Sequence, residues 1–497
     1  MTNTLYDTLI APRARDDGPF LDLDDGSVWS YADFVERAAQ LAHVLTASGV
    51  GPGDRVVVQT AKTADSIALY AATQQAGAVY LPLNTAYTES ELRYFVTDAA
   101  PAMVVCAPER ADAMADLAKA ANATLMTLAD GDAGSLAEAA RDQPTRFETV
   151  ARSPDDLAAL LYTSGTTGRS KGAMLSHKNL LSSAETLTDL WQIRRSDRLI
   201  HALPIFHTHG LFVAMNTCLL AGARVRFMAA FDTDAVLDAL PASTLLMGVP
   251  TFYTRLLGDP RLTRALVAQM RLFISGSAPL LAETHVAFET RTGHRILERY
   301  GMTETNMITS NPYDGDRVAG TVGYPLPGTE VAITRNGNRV GPGEVGMIEV
   351  RGDHVFQGYW NMPEKTAEEL RETGFFITGD LGIMDEDGRI SIVGRQKDLI
   401  ISGGYNIYPK EIETLINAAD GVRESAVFGV PHPDFGESVV AAIVLDDDRV
   451  TEATIAAQVE PHLARFKHPR RYVVMTELPR NTMGKVQKNL LRATYGA

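Results

Sequence analysis

Between two apolar runs the chain reads Tyr162-Thr163-Ser164-Gly165-Thr166-Thr167-Gly168-Arg169-Ser170-Lys171-Gly172. Three glycines let the backbone close on an anion and turn its N–H groups inward. The Ser and Thr hydroxyls add donors, and Arg169 and Lys171 add positive charge. Ala158 to Tyr162 reads as a strand leading into it. These are the parts of a polyphosphate cradle. It is not a Walker loop, which needs four residues between its glycines and Lys-Ser/Thr directly after the second. Here two residues separate Gly165 from Gly168, and two more precede Lys171. Other stretches carry weaker signals. Ser275-Gly276-Ser277-Ala278 follows the apolar Leu272 to Ile274, and a small-residue turn there lets a flat ring approach the backbone.

Placing these groups in one site takes a large scaffold. At 497 residues the chain is too long for one ordinary core, and at least two domains are expected. Hydrophobic residues make up 45% and charged residues 22%, a soluble globular composition. The net charge of −15 argues against a nucleic-acid partner, because phosphate backbones attract basic surfaces. Cys106 and Cys218 read as reduced core thiols, and no Cys/His cluster with metal-ligand spacing occurs. Met1 to Leu9 lacks the basic-then-apolar pattern of a signal peptide. The apolar stretch Gly210 to Ala223 falls short of the ~20 residues of a membrane span and reads as a buried helix. A cytoplasmic enzyme with no membrane partner is the expectation.

The first half alternates strand and helix patterns: a helix over Ala32 to Ser48, a strand Arg55 to Gln59, a helix through Ala71, a strand Ala78 to Leu81, a helix Glu89 to Asp98 and a strand Met103 to Cys106. That rhythm predicts an α/β fold of helix-covered, mostly parallel sheets. From Thr321 to Val393 short strands with tight turns such as Asn336-Gly337-Asn338 predict a β-rich subdomain. The last hundred residues read as a small α+β unit. It has a helix Pro409 to Ala418, strands Ser425 to Val430 and Val439 to Val444, a helix Thr451 to Phe466 and a strand Tyr472 to Thr476. The boundary falls near Gly394-Arg395-Gln396-Lys397-Asp398, dividing the chain into 1–394 and 395–497.

The glycine-rich loop resembles the signature of the adenylate-forming superfamily, which includes acyl-CoA synthetases, adenylation domains of peptide synthetases and luciferases. The resemblance spans nearly the whole chain. It implies a large N-terminal AMP-binding and acyl-pocket domain, a small mobile C-terminal lid and an active site between them. Thr163, Ser164, Gly165, Thr166, Thr167, Gly168 and Lys171 would then hold ATP phosphates. Glu298-Arg299-Tyr300-Gly301-Met302-Thr303-Glu304 matches a second family motif. It implies Tyr300 against the adenine, Thr303 on the α-phosphate, and Glu304, with Thr167, on Mg²⁺. Ser275, Gly276, Ser277 and Ala278 would wall the adenine and acyl pockets, with Asp380 on the ribose and Arg395 assisting. Lys485, in Pro479-Arg480-Asn481-Thr482-Met483-Gly484-Lys485, would meet the acyl carboxylate and the α-phosphate as the catalytic cation. Lys397 matches the hinge, and the loop at Gly403 and Gly404 would guide the thiol of coenzyme A after the lid turns.

For the acid, Leu203 to Gly210, which contains His207, resembles the family's acyl-pocket gate, and Met247 to Leu257 resembles a helix lining that pocket. Arg255 on that helix could pair with the far carboxylate of a dicarboxylate, since Arg grips carboxylates in a bidentate fork. Arg299 is a second candidate clamp, with neighbouring Glu298 offering it an ordinary salt bridge. Several stretches resemble the malonyl-CoA synthetase branch, which implies malonate as the acid and methylmalonate as a slower substrate. The rivals are a ligase for another short or medium acid, an adenylation enzyme feeding a carrier protein, a luciferase-like oxygenase and a non-catalytic nucleotide binder. A lysine that swings with the lid would also be open to a lysine acetyltransferase and deacetylase acting on Lys485.

Overall fold

The computed structural model describes residues 2–131, 133–163, 170–446, 449–481 and 484–496. Among the described residues four sheets organise the chain. Six strands form the first sheet, in which Arg55–Gln59, Val79–Pro82, Met103–Cys106, Thr124–Thr127 and Leu157–Thr163 run parallel. A second sheet of nine strands has Arg198–His201, Arg224–Phe227, Leu245–Gly248, Leu272–Ser275 and Leu297–Tyr300 as its parallel centre. Central strands such as Met103–Cys106 and Leu245–Gly248 are apolar and buried throughout, as a sheet covered by helices on both faces requires. Several of those helices start at Ser or Thr capping boxes, at Ser30, Thr63, Thr88 and Ser176.

The third sheet is antiparallel, built from Glu330–Arg335, Asn338–Arg339, Gly346–Arg351, Phe376–Met384 and Ile390–Arg395. Its first hairpin turns at Asn336 and Gly337, both left-handed at φ 53° and 80°, as the Asn-Gly pair predicts. From Ile400 onward a separate sheet carries two small cores, one on each face. One gathers Ile412, Val427 and Ile443, the other Phe428, Val440 and Leu491. The α/β class, with a large N-terminal body and a small C-terminal one, is as expected.

Two elements differ from the sequence reading. The helix expected over Thr451 to Phe466 stops at Val459, and 3₁₀ turns at Glu460–His462 and Arg465–Lys467 replace its second half. Pro461 explains the stop: it lacks an amide hydrogen and disfavours the helical conformation in the residue before it. The buried helix expected at Gly210 to Ala223 is present but begins as a π-helical stretch, His209–Met215, before continuing as Asn216–Ala221. Wide turns of this kind are rare and occur mostly near functional sites.

Candidate active site

A cavity of about 640 Å³ opens where the carboxyl ends of the two parallel sheets, the antiparallel sheet and the small C-terminal body meet. Open α/β sheets place ligand crevices at that edge. Three groups of side chains line it or stand directly behind its wall, as Asp380 and Tyr300 do.

At the first, strands Phe376–Met384 and Ile390–Arg395 pair Asp380 with Arg395, and the guanidinium Nε stands 2.9 Å from Asp380 Oδ1. Tyr300 donates its hydroxyl to Asp380 Oδ2 at 2.6 Å. A buried carboxylate is thus held by a cation and a phenol.

The second group surrounds Lys171. Leu157–Thr163 and Lys171–Ser176 form an antiparallel hairpin in which Thr163 and Lys171 face each other. The expected phosphate contacts at Ser164, Gly165, Thr166, Thr167 and Gly168 lie outside the described residues. Lys171 Nζ donates to both carboxylate oxygens of Glu369, at 3.1 and 3.0 Å, and to the Tyr359 hydroxyl at 3.0 Å. That hydroxyl stands 2.6 Å from Glu369 Oε2 and 3.1 Å from Glu304 Oε1. It has one proton, so Glu304 receives it only when Glu369 does not. Burial pushes the Glu304 carboxyl upward, against a lowering pull from Lys171. A nearly enclosed carboxylate facing the same cavity as Lys171 suits a hard cation, because Mg²⁺ on phosphate takes one or two carboxylates and keeps waters. Gly301, Met302 and Thr303 line the wall beside it.

The third group is the most unusual. Arg299 is 3% exposed and lines the cavity, yet its Nε and Nη2 find no hydrogen-bond partner among the described residues. Burial pushes its pKa down to about 9. The expected salt bridge to Glu298 is absent. Successive side chains on the strand Leu297–Tyr300 point to opposite faces, so Glu298 turns away and accepts the amide of Leu280 at 3.1 Å. Glu298 is itself pushed up to about 7 by burial. His207 and His209 share the cavity wall with Arg299. His207 is held to about 4, chiefly by burial and then by the charges of Arg299 and Lys485. Its Nδ1 accepts the amide of His209, so the neutral ring keeps a proton on Nε2. Ser277, left-handed at φ 70°, places its hydroxyl 3.2 Å from His209 Nδ1.

Lys485 reaches the same cavity from the C-terminal body, next to Asn481 and Lys397. Its backbone amide is fixed by Asn481 Oδ1 at 3.0 Å, and Gly484 before it rests on Thr251. Burial, then the charges of Arg395 and Lys397, push its ammonium down to about 8 against the pull of Asp380 and Asp398.

Some expected residues are placed elsewhere. Arg255 is exposed on the helix Pro250–Leu257, outside the cavity wall, with its guanidinium 5.8 Å from the ring centre of Phe231. Phe252, Tyr253 and Leu256 take the buried face of that helix, which turns position 255 outward. Ser275 and Gly276 are buried behind the wall and Ala278 is half-buried beside it. Gly403 and Gly404 form an exposed two-residue turn between Ile400–Ser402 and Tyr405–Ile407, away from the cavity. Sequence reasoning missed Tyr359 and Glu369. A Gly-Tyr-Trp stretch and a helix-end glutamate carry no spacing signal that ties them to Lys171.

The family description "AMP-binding enzyme" matches residues 11–360, and "AMP-binding enzyme C-terminal domain" matches residues 411–485. A feruloyl-CoA synthase of an Amycolatopsis species is 36% identical over 478 residues, covering 95% of each chain. The malonate–CoA ligase of Arabidopsis thaliana is 34% identical over 517 residues, covering 94% of this chain and 85% of that one. Among solved structures, ATP-bound MatB from Rhodopseudomonas palustris is 55% identical, with 100% of this chain and 99% of that chain covered and a TM-score of 0.98. The apo form of the same protein, at the same identity and coverage, superposes with a TM-score of 0.87.

Proposed function

Because this chain belongs to the AMP-binding enzyme family, as an adenylate-forming acid–thiol ligase close to malonyl-CoA synthetases, we propose that its acid is malonate, with methylmalonate a slower substrate. One observation carries the choice: the buried guanidinium of Arg299 in the cavity wall, unpaired among the described residues. An aromatic or fatty acyl tail would leave that charge without a partner, which is costly in a dry pocket. A second carboxylate would fill its bidentate fork. The clamp role expected of Arg255 falls first to Arg299, and Arg255 reaches the acid only by leaving Phe231.

The rest of the wall fits the two half-reactions. ATP phosphates would meet Lys171 and the loop of Thr163 to Gly168, with the ribose on Asp380 and Arg395. Glu304 would hold Mg²⁺, which neutralises phosphate charge and helps pyrophosphate leave. The near carboxylate of the acid attacks the α-phosphorus and the bond to pyrophosphate breaks. Charge builds on the phosphoryl oxygens, where Lys485 and Thr303 would meet it. A fixed cation lowers the barrier most where charge develops. The thiolate sulfur of coenzyme A then attacks the acyl carbonyl, and AMP leaves with the bonding pair.

With Lys485 inside and Gly403-Gly404 outside, the arrangement suits the first half-reaction. Rotation of 395–497 about Lys397 would exchange the two faces. The two MatB comparisons, alike in identity but 0.98 against 0.87 in TM-score, support such a movement. A Lys485 that leaves the cavity is then reachable by a lysine acetyltransferase, which would erase its charge. Mass spectrometry of protein from cells in several growth states tests that modification.

The deciding experiment is CoA-dependent AMP release over a panel of mono- and dicarboxylic acids. Malonate should give the highest kcat/KM. A higher value for ferulate, a fatty acid or propionate would remove the assignment.

A further inference from the structure

Behind the cavity lies a lysine with no role in the chemistry above. Lys62, half-buried just before the helix Ala64–Gln75, places its Nζ 2.8 Å from His201 Nδ1 and 2.8 Å from the His201 carbonyl. The ammonium also lies 4.4 Å from the ring centre of Phe227. Among the described residues no carboxylate pairs with it. Burial pushes its ammonium well below the usual lysine range, and Asp24, whose charge pulls the other way, is already paired with Arg226.

His201 is fully buried at the carboxyl end of the strand Arg198–His201. Its Nε2 stands 2.8 Å from the carbonyl of Gly210, in the first turn of the π-helical stretch His209–Met215. A carbonyl only accepts, so Nε2 carries the proton and Nδ1 a lone pair, which is what a donating Lys62 requires. Burial, and then the charge of Lys62, hold the ring neutral. The bond from His201 to Gly210 closes the loop of residues 202–209, which contains both His207 and His209. Gly210 is pressed onto this loop, since a Cβ there would lie 2.0 Å from the Pro204 carbonyl.

We infer that Lys62 is a positioning residue for the acid-binding wall: by fixing the Nε2–H tautomer of His201, it holds the Gly210 turn and so sets His207 and His209 beside Arg299. The metal-ligating histidines of other proteins are oriented by such outer partners in the same way. The inference rests on reading this cavity as the acid site.

The test compares Lys62→Met and Lys62→Arg. Lys62→Met should raise the KM for malonate about tenfold, the scale of one lost buried hydrogen bond. The Kd for ATP and the melting temperature should stay near those of the unaltered protein, and Lys62→Arg should restore most of the malonate KM. In ¹⁵N spectra, His201 should show the Nε2–H tautomer in the unaltered protein and a mixture in Lys62→Met. An unchanged malonate KM, a parallel loss of ATP binding and thermal stability, or an Nδ1–H tautomer in the unaltered protein would overturn the inference. If the unaltered protein uses no acid at all, the proposed function fails, and the tautomer spectra alone decide whether Lys62 orients His201.

Discussion

The guanidinium of Arg299 lies flat against the bare α-carbon of Gly276: a Cβ at position 276 would stand 2.3 Å from Arg299 Cζ. The missing side chain makes room for a charge that has no partner among the described residues. Gly276→Ala should push the guanidinium off its place and raise the KM for malonate at least ~10-fold, about the cost of a misplaced charged hydrogen bond. Calorimetric titration with ATP should show affinity within a few-fold of the unaltered protein. Equal damage to both ligands would assign Gly276 to the nucleotide instead.

Arg299→Met removes the clamp while keeping the volume. Breaking a buried pair costs about 3–5 kcal/mol, so kcat/KM for malonate should fall roughly 10²–10⁴-fold. Propionate, which has no second carboxylate, should be affected far less. The ligand-free variant should melt at or above the temperature of the unaltered protein, because it no longer buries an unpaired charge. A uniform loss over all acids would leave the charge with no part in acid choice.

The two faces of the C-terminal body should separate the half-reactions. Lys485→Ala should lower malonate-dependent pyrophosphate release by ~10²–10³-fold, the scale of one lost electrostatic stabiliser. Gly404→Leu, at a φ of 81° that disfavours any side chain, should leave adenylate formation intact and slow thioester formation. Rapid-quench assays of each step distinguish the two outcomes.

Thermal stability should fall on the acid side. Free histidines take protons near pH 6.5, whereas His177 and His354 are held to about 4, chiefly by burial. Between those values the unfolded chain binds more protons, so stability present above pH 6.5 is lost as pH drops toward 4. Each ring accounts for up to about 3 kcal/mol. Glu298 acts in the opposite sense: raised by burial to about 7, it contributes below pH 4.5 and loses that contribution as pH rises through 7. Glu298→Gln should therefore raise the melting temperature at pH 8 and change it little at pH 5, as scanning calorimetry would show.

Strands whose apolar character is continuous were legible to the residue: Arg55–Gln59 and Met103–Cys106 have the bounds their composition predicts. Local motifs pointed to Thr163, Lys171, Glu304, Arg395 and Lys485, which line one cavity, and to Asp380, which is buried against Arg395 behind its wall. Relationships that depend on distant chain segments were not legible. Glu369 meets Lys171 from 198 positions away. Two placements follow from elementary grounds. Alternation along a strand already separates Glu298 from Arg299, and the apolar spacing of Phe252, Tyr253 and Leu256 already turns Arg255 to solvent.

The carboxylate of Glu369 gives Lys171 a partner before any nucleotide arrives. A ligand that claims this lysine must therefore bring enough negative charge to displace an anion already in place. If Lys171 takes ATP phosphates as proposed, the long tail of a triphosphate would do so; a spent monophosphate would offer less, and Glu369 returning to Lys171 would favour its departure.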